Sequence, residues 1–75
     1  MSEWMQDLFD LMAHEQIKLS IMGELGDVSA ELSIRHGMRF FFAAHGEGEA
    51  FEDTMHNLMT DYDDRKQGRV RTLGA

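Results

Sequence analysis

The stretch "VSAELSIRHGMRFFFAA", residues 28–44, fits two incompatible readings, and the fold depends on which one holds. Val28, Ala30, Leu32 and Ile34 alternate with Ser29, Glu31, Ser33 and Arg35, the period of a half-buried strand. His36-Gly37 then suits a tight turn into a second strand, Met38 to Ala44. On the other side, Asp27 follows Gly26 as a good N-cap, and Glu31 and Arg35 stand four residues apart in the order that stabilises a helix. Ala30, Ile34, Met38, Phe41, Phe42 and His45 also line one helical face. An isolated two-stranded hairpin is marginal in water, and the pattern offers no third strand. The helical reading is therefore adopted, with the hairpin as the alternative.

The flanks read as helices. The chain has no proline to interrupt Ser2 to Leu25, where Leu8, Leu11, Met12, Leu19 and Met22 step by three and four. Phe9, Ala13, Ile17, Ile21 and Leu25 add a second apolar row, with Glu3, Asp7, Asp10, His14 and Lys18 opposite. Ser2 suits the N-cap and Gly26 the stop. After Gly46-Glu47-Gly48, residues 49–66 present Phe51, Met55, Leu58, Met59 and Tyr62 on one face and carboxylates on the other. The expectation is an all-α fold, a three-helix domain over residues 1–67 made of a helical hairpin plus an acidic C-terminal helix. Residues 68–75 are expected to form a flexible basic tail. The alternative fold is α-β-β-α with a central hairpin.

A 75-residue chain buries only roughly 60% of its unfolded surface, so self-association or a partner is the expected supplement to a thin core. With no cysteine, disulfides and cysteine-based zinc sites are excluded. No positively charged leader precedes an apolar run, and no apolar stretch approaches a bilayer span of roughly 20 residues, so a cytoplasmic protein off the membrane is expected. The net charge of −7 is segregated: residues 47–64 hold seven acids and no base, whereas residues 65–75 hold Arg65, Lys66, Arg69 and Arg71. Such a body repels a phosphate backbone, so direct nucleic-acid binding is disfavoured.

Catalytic chemistry finds little footing. Glu52 or Asp53 with His56 faces one ion from a single helix, but a metal site needs three or four convergent ligands, and His14 and Glu15 have no spacing that brings them there. There is no cysteine or Gly-x-Ser-x-Gly nucleophile, and "HGEGE" (residues 45–49) has carboxylates where a phosphate loop needs a lysine. The chain is read as non-enzymatic, with no cofactor and no metal.

The large apolar side chains carry more information. Successive helical residues point 100° apart and strand neighbours point to opposite faces, so Phe40, Phe41 and Phe42 cannot all enter one core. Trp4 sits in a terminal turn, where a small monomer seldom buries an indole. Trp4, Met5, Met38, Phe40 and Phe41 form the expected partner-binding set, with a homodimer as the expected assembly. Glu49, Glu52, Asp53, Asp61, Asp63 and Asp64 form the expected acidic face.

The segment Arg35-His36-Gly37-Met38-Arg39 with its apolar continuation resembles the "Gly-x-Arg" helix of short helical accessory proteins of phages and bacteria. That resemblance implies an interaction module that binds and inhibits or modulates a host protein, of the defence or transcription machinery. Two other readings stand beside it: an acidic mimic of nucleic acid built on the carboxylate face, and a phage assembly component whose basic tail orders on a neighbour.

Overall fold

A computed structural model describes residues 3–68. The period of two prevails in residues 28–44, and the all-α expectation is overturned. The chain is α+β, running α1 (Glu3–His14), β1 (Ile17–Glu24), β2 (Asp27–His36), β3 (Arg39–Gly48), α2 (Phe51–Lys66). The alternative with a central hairpin fits this order once a third strand is added. That strand comes from the residues assigned to the first helix, which stops at His14. From Ile17 the apolar residues Ile17, Leu19 and Ile21 alternate with Lys18, Ser20 and Met22. Gly23, which costs a helix interior about 1 kcal/mol, falls in β1 instead. Three strands with a covered face are stable where a lone hairpin is not.

The strands form one antiparallel sheet in the order β1-β2-β3. Both connections are two-residue turns at a glycine with positive φ, Leu25-Gly26 (φ 72°) and Gly37-Met38 (φ 67°), where a side chain at the glycine would be strained. Glycine in the first turn position at Gly37 matches the type II′ hairpin. The register puts Ala30, Leu32, Ile34 and Ala44 on one face, and both helices cover it with Trp4, Leu8, Leu11, Met55, Leu58 and Met59.

Helix α2 lies against β3 and covers the His45–Glu47 part of that edge of the sheet. The outward N–H of His45 donates to Asp61 Oδ2 (2.9 Å), and Asn57 Nδ2 donates to the Glu47 carbonyl (2.7 Å). Thr54 is wholly buried, its hydroxyl within hydrogen-bond reach of the Val28 carbonyl (3.0 Å) and the Ala50 carbonyl (2.9 Å). Gly68 (φ 74°) ends α2 with its N–H on the Arg65 carbonyl. The cap expected at Ser2 and the tail from residue 69 onward lie outside the described residues. No helix among those described is long and apolar enough to cross a membrane.

Candidate interaction surface

The β2–β3 hairpin runs past the helices, and its end collects the side chains that the core does not take. Cross-strand pairs are Ile34 with Phe41, Arg35 with Phe40 and Ser33 with Phe42. Leu32 then pairs with Ala44, so Ala43 is the extra residue of a bulge. Alternation places Phe41 on the helix-covered side opposite Ile34, the last core residue of β2, and Phe40 and Phe42 on the open side. All three rings remain exposed, by 42, 50 and 53% for Phe40, Phe41 and Phe42, and Met38 at the turn by 93%. The three rings cannot all enter one core, and here none does: the hairpin end carries all three.

Cations frame this apolar patch. Arg35 donates from Nε to the Gly37 carbonyl (2.8 Å) and from a terminal nitrogen to Gln16 Oε1 (3.1 Å), which pins the turn to the start of β1. His36 packs at a tilt on Phe41 with ring centroids 5.9 Å apart. The Arg65 guanidinium stands 4.9 Å from the centroid of the Phe42 ring, a cation–π contact. Arg35 and Arg39 are the only charged residues between positions 35 and 42, so the patch is locally cationic on an acidic protein.

Of the expected partner-binding residues, Met38, Phe40 and Phe41 meet at this end. Trp4 and Met5 do not. Trp4 is 7% exposed within the core, with Phe51 edge-on at 5.7 Å, and Met5 packs against the same cluster. The indole is buried because α1 packs on α2, which sets Trp4 against Phe51 within the shared core. Phe42, Arg35, Arg39 and Arg65 are the members that sequence reasoning missed. The strand alternation around the Gly37 turn was the signal for the first three.

The acidic face divides. Glu49 precedes α2, Glu52 and Asp53 lie in its first turn, and Asp63 and Asp64 near its end, whereas Asp61 turns to the edge of β3. A groove of about 430 Å³ is lined by Asp7 and Asp10 of α1, Glu15 just after it and Asp63 of α2, with His14, Tyr62 and Lys66. Among the described residues no group of three or more His, Asp or Glu is placed to hold a metal ion.

Asp61 joins the edge closure to the patch by accepting both the His45 N–H and Arg65 Nε (2.7 Å). Burial alone would raise its pKa. The His45 hydrogen bond and the hydrogen bond and charge of Arg65 outweigh that and hold it below the ordinary 3.8. With the folded-state value below the unfolded one, the stabilisation is present at neutral pH and is lost as pH falls through the folded-state pKa. Asp61→Asn is expected to cost about 1–2 kcal/mol at neutral pH and to flatten the acid side of the stability curve below about pH 4. Identical acid unfolding of the two proteins contradicts this role.

The fold is thus a three-stranded antiparallel sheet with both helices on one face, an aromatic and cationic hairpin end, and one edge covered in part by a helix. Comparison with protein-family models, with curated proteins and with solved structures finds no match.

Proposed function

We propose that this chain is a non-enzymatic protein-interaction module that binds a host protein in the cytoplasm through the β2–β3 hairpin end and inhibits or modulates it, in the manner of phage-type accessory proteins. One observation carries the reading: three adjacent phenylalanines and Met38 stand in solvent at one hairpin end, Phe40 and Phe42 on one face and Phe41 on the other, with the Arg65 guanidinium on the Phe42 ring. Aromatic residues, methionine and arginine are the types enriched at the energetic centre of protein interfaces. A soluble chain exposes such a cluster at a cost in solubility that a bound partner removes.

The test is affinity capture from the native host with the parent protein, Phe40→Ser/Phe42→Ser, and the control Thr60→Arg on the exposed side of α2. A partner held by the parent and the control, and bound roughly 10–100-fold more weakly by the double serine variant, is expected. Equal retention by all three folded proteins refutes the hairpin end as the binding site.

The convergence of Asp7, Asp10, Glu15 and Asp63 on one groove favours a second reading, the acidic mimic, in which a cationic partner surface docks on the helices. Its signature is binding that ignores the phenylalanine substitutions and falls steeply with salt.

A further inference from the structure

The two edges of the sheet are treated differently. Helix α2 takes up the His45 N–H and the Glu47 carbonyl at the β3 edge, but among the described residues no hydrogen bond reaches the outer edge of β1. The parity of that edge follows from the ladder. The Arg35 N–H donates to the Gln16 carbonyl, and Glu24 and Asp27 flank a two-residue turn, so residues 16, 18, 20, 22 and 24 direct their backbone groups to β2. Ile17, Leu19, Ile21 and Gly23 therefore direct theirs outward. Proteins commonly guard such an edge with a proline, a bulge or a cover. β1 has no proline, pairs with β2 without a register shift, and carries exposed apolar side chains at Ile21 (48%) and Met22 (67%), with Leu25 (104%) in the turn that follows it.

We propose that β1 pairs antiparallel with β1 of a second copy about a twofold axis through Ile21, closing a six-stranded sheet. Outward backbone groups meet only in registers that oppose odd-numbered residues, such as those centred on Ser20, Ile21 or Met22. Of these, the register centred on Ile21 alone sets Lys18 opposite Glu24 of the second copy, and symmetry makes that ion pair twice. The charged pairs fall at the positions without backbone hydrogen bonds, where side chains approach most closely. On the helix-covered side the same register opposes Ile21 to Ile21, Leu19 to Gly23 and Ile17 to Leu25, covering the most exposed leucine among the described residues. The contact uses the same patch on both copies, so it closes at two copies, and α2 occupies the His45–Glu47 stretch of each outer β3 edge. This dimer stands independently of any partner at the hairpin end, which it leaves free.

Sedimentation equilibrium of the full chain, with Lys18→Glu, Glu24→Lys, the double exchange and Ile21→Pro, tests it. The parent is expected to dimerise reversibly. Each single charge reversal places like charges together twice and weakens association roughly tenfold or more, and the double exchange restores it to within about threefold. Ile21→Pro removes an N–H that faces outward, so it abolishes the dimer while circular dichroism shows the fold retained. A parent protein that is monomeric at every concentration overturns the proposal, as does a dimer indifferent to either reversal or a double exchange no tighter than the singles. Should a variant not fold, amide exchange of the parent decides: protection of Leu19, Ile21 and Gly23 that rises with concentration supports the pairing, and concentration-independent exchange there refutes it.

Discussion

Gly46→Ala is expected to melt roughly 10–20 °C below the parent protein, the steepest loss from any added methyl group in this fold. A Cβ on Gly46 meets Leu58 N and Thr54 O at 2.5 Å and Leu58 Cα at 2.7 Å. All three are backbone atoms of α2, so no rotamer change relieves the clash, and the helix must lift from β3. Lifting α2 also loosens the His45–Asp61 and Glu47–Asn57 hydrogen bonds at the strand edge. Overpacking typically costs 1–3 kcal/mol, and a clash with rigid backbone belongs at about 2–3 kcal/mol. In a domain of this size about 1 kcal/mol moves the melting temperature by about 4–8 °C. Gly48→Ala, whose Cβ stands 3.0 Å from Asp53 Cβ and from Thr54 N and Oγ1, should lose less. Gly23→Ala, with nothing within 4 Å, should lose least. Thermal melts by circular dichroism give the ranking, and a Gly46→Ala protein that melts with the parent refutes the close helix–strand contact.

Trp4→Ala is expected to cost about 3–5 kcal/mol, the usual range for removing a buried tryptophan. Against roughly 4–11 kcal/mol of total stability for a chain of this length, that is enough to populate the unfolded state at ambient temperature. The indole is 7% exposed and meets the Phe51 ring nearly at right angles (82°). Its Nε1 is the one buried side-chain polar atom among the described residues with no hydrogen-bond partner, so the indole is held for its bulk. Trp4→Phe removes that unpartnered donor along with part of the volume, and the two effects offset, leaving a loss of at most about 1–2 kcal/mol. Because the chain has a single tryptophan, the parent's emission reports burial directly, blue-shifted when folded and red-shifted in denaturant. Parent-like urea unfolding of Trp4→Ala would move the indole out of the core and back among interface residues.

The corrections have definite physical sources. In residues 17–25 the apolar residues satisfy helical steps and strand alternation at once, because Ile17, Leu19 and Ile21 are spaced by two while Ile17 and Ile21 are also spaced by four. Local pattern alone does not separate these periods. What decides is the area β1 covers when it pairs with β2, a contact between residues up to seventeen positions apart, as Ile17 and Ile34 are. The three phenylalanines were legible as too many for one face, and their site on a hairpin followed from the Gly37 turn. Their sorting needed the bulge at Ala43, which no residue pattern announces. Asp61 was legible only as one carboxylate among several, since its distinguishing contacts are with His45 and Arg65 across the strand edge.

By itself the sequence determined the amphipathic C-terminal helix, the segregation of charge, the absence of disulfides and the places where glycine permits the chain to turn. These are local properties, set by side-chain periodicity, composition and the freedom of a residue without Cβ. The tertiary structure decided that residues 17–44 are strands, that Trp4 points inward, and that one sheet edge is covered in part while the other stays open. Each of those outcomes depends on which distant backbone and apolar surfaces meet, and burial of that kind is a property of the assembled sheet and helices, not of any segment read alone.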